Sequence, residues 1–354
     1  MDALLLVKAS LLLSATLVAE RLLRRSPAVT RHRLWSALFA AVLALPVLGA
    51  VLPAWHVPVP IRWSAAAAQA VAAAPLTRHR QQSADAAAIA VDMTAVVGRA
   101  PAVRMNDGVA MAVEPGRARA TALLLAIWGI GAAMAMTALV LSLLRTRRLA
   151  RTADAVNDPT WRSAAGTLAA RLGLRQAVRL LVTAGVDTPM AGGVWRPAIF
   201  LPAASRTWSA ERRDVVLAHE LAHLAARDPL RHLVARLALA LYWFHPLAWI
   251  AARQETVARE QACDEAVLAL GTRPSVYARV LLDLADSIAR PAPALATLPM
   301  VQRSLLENRL MAILNDDARP VSRRLLLVAA SALALLTLTV AAAQPAAATM
   351  FPEV

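Results

Sequence analysis

One cysteine and one lysine, Cys263 and Lys8, are all that 354 residues hold of either type. A lone cysteine closes no internal disulfide and builds no paired-cysteine zinc site, so Cys263 is expected to serve as a small buried apolar residue. Glycines are few, 12 in all, and none falls in a phosphate-cradling loop. Charged residues make up only 17 % of the chain against 58 % hydrophobic ones, and the mean hydropathy is +0.52. That balance excludes an ordinary soluble globular protein of this length. Acids are outnumbered, 23 to 38, which leaves a net charge of +15. Aromatics are only 4 % and no basic region is interleaved with them. The excess base therefore reads as membrane anchoring and solvated surface, with no direct nucleic-acid contact.

The apolar residues are concentrated. Four stretches, about 3 to 20, 34 to 55, 120 to 144 and 325 to 343, approach or exceed the roughly 20 residues that a spanning helix needs. The first is followed, not preceded, by its basic cluster (Arg21, Arg24, Arg25) and begins with Asp2, so it reads as a retained anchor and not as a cleaved signal peptide. Arg21, Arg24, Arg25, Arg31 and Arg33 fill the next short loop without an acid, and Arg145, Arg147, Arg148 and Arg151 follow the third span. Both clusters belong on the cytoplasmic side. Arg319, Arg323 and Arg324 precede the fourth span and no basic residue follows it, so both termini are expected outside. The resulting divisions are 1–55 for two spans and their basic loop, 56–118 for an Ala-rich, flexible external loop, and 119–144 for the third span. A cytosolic domain follows at 145–324, then the fourth span at 325–343 and a short external tail at 344–354.

Within the cytosolic domain, His219-Glu220-Leu221-Ala222-His223 carries the chemistry. Residues four apart share one face of a helix, so two imidazoles reach one metal ion while Glu220, one step round, faces its open position. A zinc ion lowers the pKa of a water towards neutrality, and Glu220 is the base that takes its proton. Val215, Val216, Leu217, Ala218 and Leu224 surround the motif with apolar side chains. Polar groups in such a helix are costly unless they are paired or bound.

A catalytic zinc takes three protein ligands. On a second helix, Arg253 to Leu270, Glu260 is the third ligand chosen, with Asp264 at i, i+4 to accept the second ring N–H of a ligating histidine. Glu255 and Glu265 read as ordinary solvated helix charges, and Asp228 as a turn cap in an Arg-Asp-Pro stop. Leu230 to Ala252 is apolar enough to span, but crossing would put Glu260 on the opposite side of the bilayer from the histidines. It is expected as a helix buried in the domain or dipping into the bilayer surface, kinked or ended by Pro246. His232 and His245 stand at no ligand spacing and read as packing or capping residues.

HELAH, Arg227-Asp228, WFHPLAW (Trp243 to Trp249) and REQACDE (Arg259 to Glu265), in this order and with three spans before and one after, resemble the M56 family of membrane zinc metallopeptidases, the BlaR/MecR-like antirepressors. The resemblance implies zinc ligands at His219, His223 and Glu260 and a catalytic glutamate at Glu220. It also matches Pro189 to Pro202, where the alternation around Ile199, Phe200 and Leu201 fits either an edge strand that pairs with substrate or a plain hairpin strand. The fold expected is mainly α: a polytopic membrane protein of four transmembrane helices with a mostly helical, zincin-like (α+β) metalloprotease domain.

Antibiotic-sensing members carry a Ser-x-x-Lys domain after the fourth span. Here Gln344 to Val354 follow, and Leu5 stands three residues before the sole lysine, so sensing of a β-lactam by that chemistry is not expected. The trigger would enter through the external loop, a partner or the membrane. The function expected is a zinc endopeptidase of the bacterial inner membrane that cuts a cytosolic protein, a DNA-binding repressor by the resemblance, and itself near Ala289 to Pro299. Two alternatives are an M48-like quality-control protease and a non-catalytic receptor or scaffold held together by zinc; the latter has no need of Glu220.

Overall fold

A computed structural model describes residues 3–59, 115–289, 300–314 and 323–347. Its chain is mainly helical with a small sheet and forms two compact units, 1–52 with 123–341 and 53–122 with 342–354.

Helices α1 (Ala3–Leu22) and α2 (Ala28–Val51) form a hairpin. Ser10 and Thr16 return their hydroxyls to the carbonyls of Leu6 and Leu12, which satisfies them inside an apolar helix. Helix α3 (Pro115–Thr152) runs beyond the expected span at both ends, through the arginine cluster. Two described segments, Ala28–Val51 and Arg119–Thr152, are long and apolar enough to cross a membrane. In α1, Lys8, Glu20 and Arg21 interrupt the run.

A four-stranded sheet follows. Strand β2 (Asp154–Ala155) precedes α4 (Pro159–Arg171), whose first turn is capped by Asp158, with its side chain accepting from the Thr160 N–H, and by Pro159 at N1. Strands β3 (Arg179–Thr183), β4 (Met190–Gly192) and β5 (Ala198–Pro202) complete the order β2-β3-β5-β4, with β3 parallel to β5 and β4 antiparallel to it. Strand β5, with Ile199, Phe200 and Leu201, is therefore interior and buried throughout, and the edge strands are β2 and β4. Continuous apolar residues in β5 fit a strand covered on both faces, which is why they do not mark an edge. Gly193 (φ 87°) makes the β4–β5 turn, where a Cβ would meet the Arg196 carbonyl at 2.2 Å.

Helix α5 (Ala210–Ala225), capped by Ser209 accepting from the Arg212 N–H, carries HELAH. Its Leu217 and Leu221 pack on Ile199, Leu201 and Trp161, and its Val215, Val216 and Ala218 on Val267, Tyr277 and Ile313. The next two helices are α6 (Asp228–Leu241) and α7 (Pro246–Ala269). The 230–252 run is thus not one kinked helix: α6 ends at Leu241 and Pro246 opens α7, its missing N–H costing nothing in a first turn. The apex of this pair is fixed among the N-terminal helices, with the Tyr242 hydroxyl donating to the Val42 carbonyl and His245 Nε2 2.9 Å from Ser10 Oγ. Leu12, Leu13, Trp35, Leu38, Phe39, Leu239 and Tyr242 form one core there. Helices α8 (Pro274–Ala289), α9 (Met300–Leu314) and α10 (Arg323–Ala342) follow.

In the smaller unit, β1 (Trp55–Val59) pairs in parallel with β6 (Ala343–Ala347). The expected external loop lies mostly at 60–114 and the expected self-cleavage stretch at 290–299; both ranges are outside the described residues.

Candidate metal centre

Helices α5 and α7 bring the predicted ligands together. His219 Nε2 stands 3.6 Å and His223 Nε2 4.0 Å from Glu260 Oε2. The two rings are edge-on, 4.8 Å between centroids. Three donors, two nitrogens and one oxygen, thus converge from two helices. Zinc bonds of about 2.0–2.2 Å set tetrahedral ligand atoms roughly 3.3 Å apart, so the His219 contact has to shorten by about 0.3 Å and the His223 contact by about 0.7 Å to hold the ion.

The other side of each ring is already anchored. His223 Nδ1 lies 2.8 Å from Asp228 Oδ2 and 3.2 Å from Cys263 Sγ. A proton on Nδ1 is donated to the carboxylate, which leaves the Nε2 lone pair for a metal. His219 Nδ1 lies 2.9 Å from the Tyr277 hydroxyl, which itself donates to Asp264. Arg309 holds that carboxylate by two bonds, Nε to Oδ2 at 2.9 Å and Nη2 to Oδ1 at 2.7 Å, and its Nη1 is 3.4 Å from Glu260 Oε2.

His223, Asp228 and Cys263 are a second group of possible ligands. Burial pushes the Cys263 thiol up to about 11, so it keeps its proton and is a poor ligand. The donor set fits a metal on the Nε2 side. Burial works to raise the Glu260 pKa, yet the hydrogen bond with His219 and the charges of His223 and Arg309 hold it well below the usual carboxylate range. Burial likewise opposes a proton on His223, but Asp228 and Cys263 raise its pKa well above that of a free imidazole. The site therefore supplies a carboxylate ligand and an imidazole that releases a proton when a metal takes its place.

Glu220 is buried and lines the same cleft, of about 380 Å³, with His219, His223, Glu260, Arg309, Met190 and Ala191 of β4 and Pro189 just before it. His232 is on its wall. Burial and the charges of Arg259 and Arg236, whose guanidinium groups approach its two ring nitrogens at 3.3 Å, lower its pKa to about 4.

Several expectations need correction. Asp228 is no mere turn cap: it is buried in the first turn of α6 and supports His223. Arg227 (φ 57°), the only non-glycine residue at positive φ among those described, turns the chain so that this carboxylate falls back on α5. Asp264 approaches His219 Nδ1 only to 3.5 Å, with Tyr277 making the closer contact. Glu255 is 3 % exposed, and Glu265 accepts the Ala28 N–H on both oxygens at 2.8 and 2.9 Å; neither is a solvated helix charge. Tyr277 and Arg309 went unrecognised in the sequence, where no spacing relates α8 and α9 to HELAH.

Comparison with known proteins gives two findings. Residues 3–313 match the family described as BlaR1 peptidase M56. A curated relative, "Regulatory protein BlaR1" of Bacillus licheniformis, is 32 % identical over 143 residues, 40 % of this chain and 24 % of that protein. The chain therefore spans about a quarter of the length of this relative.

Proposed function

We infer, from the premise that this chain belongs to the BlaR1 peptidase M56 family, that it is a membrane zinc endopeptidase acting in signalling. The observation that carries the reading is the convergence of His219, His223 and Glu260 with Glu220 in one cleft, each imidazole oriented from behind. His219, His223 and Glu260 would hold zinc, which when bound supplies Lewis-acid activation of a water and of a peptide carbonyl.

The chain's own residues do the rest. Glu220 takes the proton of the attacking water and delivers it to the leaving amine. Edge strand β4 offers free backbone groups along the rim of the cleft, to which an extended peptide can add as a further strand. Asp228 on one side, and Tyr277 with Asp264 on the other, keep the imidazoles from turning as charge develops.

The substrate we propose is a cytosolic protein, a DNA-binding repressor by the resemblance to the BlaR/MecR-like antirepressors, together with this chain itself. Four spans with both termini outside and the 145–324 domain in the cytoplasm remain the topology of choice. Supporting it, Lys8 near the start of α1 donates to the Ala341 carbonyl in the last turn of α10, so these two ends lie together. The lipid bilayer is then the other partner.

The test is zinc content and fragment formation for the purified, detergent-solubilised chain beside Glu220→Gln, with Glu260→Ala as ligand control. About one zinc in wild type and Glu220→Gln, weakened binding in Glu260→Ala, and cleavage of chain or substrate by wild type alone are expected. Signalling that survives Glu220→Gln with zinc bound would favour a scaffold. No zinc in the wild type would end the metallopeptidase reading.

A further inference from the structure

Behind the Asp228 and Glu260 supports lies a residue from the N-terminal hairpin. His32, in the second turn of α2, is 1 % exposed, and its Nε2 sits 3.5 Å from Asp228 Oδ1 and 3.4 Å from Glu255 Oε1. None of these three buried atoms has a closer hydrogen-bond partner. Its Nδ1 faces Arg231 Nη1 at 3.5 Å. A guanidinium only donates, so Nδ1 accepts and Nε2 carries the ring proton, directed between two carboxylates. Three buried polar atoms that meet only each other would be costly anywhere else in this core.

The contacts close a ring. Asp228 supports His223; Glu255 meets Arg259, and Arg259 reaches Glu260, each at 3.5 Å. From one proposed ligand to another the path runs His223, Asp228, His32, Glu255, Arg259, Glu260, and His32 is the single member that α5, α6 and α7 do not supply. The turn of α2 before it is tied to the ligand-bearing helix as well. Glu265 accepts the Ala28 N–H, and Arg31 donates to Gln261 at 2.8 Å. Pro27 provides no side-chain cap for α2, so a carboxylate from α7 takes that place, where the helix dipole favours a negative charge.

We propose that His32 is a positioning residue for the metal centre, setting the Asp228 and Glu255 carboxylates in register so that ligand geometry follows the position of α2. The proposal rests on the metallopeptidase reading above and adds to it a route by which displacement of a membrane helix changes the site. His32 touches no reacting atom; it acts through carboxylates that orient one ligand and, by way of Arg259, constrain another.

Zinc affinity by chelator competition and the d–d absorption of the cobalt-substituted chain, both on the full chain in detergent, test this. Replacing groups behind metal ligands typically weakens metal binding about 10- to 100-fold. His32→Leu, which keeps apolar bulk and loses the N–H, is expected to weaken zinc about tenfold and shift the cobalt bands. His32→Gln, which keeps an N–H near the Nε2 position, should recover most of both. Leu38→Ala opens a cavity further along α2 but keeps His32 and the Ala28 and Arg31 ties to α7 in place, and should leave affinity and spectrum as in wild type.

Wild-type values in His32→Leu, or equal losses in Leu38→Ala, overturn the proposal. A second measurement needs no variant: because coupling is reciprocal, loading zinc should slow amide hydrogen exchange in 28–35, and protection confined to α5 and α7 counts against it. Zinc lost in His219→Ala but unchanged in His32→Leu sinks the role of His32 alone. A wild type that binds no zinc, or binds it as well after His219→Ala, removes the metal reading and the proposal with it.

Discussion

His223 and His219 are oriented by different devices. Asp228 accepts from His223 directly, whereas Asp264 acts on His219 through the Tyr277 hydroxyl, pinned in turn by Arg309. Asp228→Asn should therefore weaken zinc binding about 10- to 100-fold, read by chelator competition. Tyr277→Phe and Asp264→Asn should give similar losses, and the double variant little more than either, because the two groups form one chain. Strict additivity would mean that Asp264 reaches the imidazole independently. The same contrast explains what was legible beforehand. HELAH and Glu260 announce themselves through helical spacing, and i, i+4 brings Asp264 near the right histidine. No such regularity links Tyr277, Arg309 or His32 to the site, since each arrives on another helix and its role is fixed by tertiary packing. Asp228 was visible, but its Arg-Asp-Pro setting favoured a cap, and only the left-handed Arg227 turns its carboxylate onto His223.

Between elements, the joint that matters most for the N-terminal hairpin is the α6–α7 apex. There α3 makes a reciprocal clasp: Trp128 Nε1 donates to the Leu241 carbonyl at 3.0 Å, and Trp243 Nε1 to the Trp128 carbonyl at 3.2 Å. Gly131 makes the clasp possible, because a Cβ there would lie 2.2 Å from Trp243 Cε2, while one at Gly129 would meet nothing within 4 Å. Gly131→Leu should thus unseat Trp243 and cost about 1–3 kcal/mol, the usual range for overpacking. Gly129→Leu should cost much less. Thermal unfolding in detergent, followed by tryptophan fluorescence, separates them, and equal midpoints would show that the clasp contributes little. Leu230 to Ala252 could pass for a membrane span because composition records apolarity but not the turn. Pro246 marks the turn, and its place at N1 of α7 makes it the start of a helix and not a kink.

Over the whole molecule, charge is the basis of the proposed orientation, and packing ties the proposed protease domain to one of the arginine clusters. Arg145, Arg147, Arg148 and Arg151 lie at the end of α3, and Leu149 there packs on the sheet cluster of Leu181, Ala198 and Phe200. The proposed protease domain thus begins on the arginine-rich side, which the positive-inside preference assigns to the cytoplasm. In a Cys263→Ala background, a cysteine at Arg151 should resist a membrane-impermeant thiol reagent in intact cells and react once the membrane is permeabilised. A cysteine at Gln344 should react from outside in both conditions. Labelling of both from outside would break the four-span topology, and the reverse pattern would invert it. Inversion would carry His219, His223 and Glu260 across the bilayer with Arg151, replacing a cytosolic substrate by an external one while leaving the chemistry of the centre unchanged.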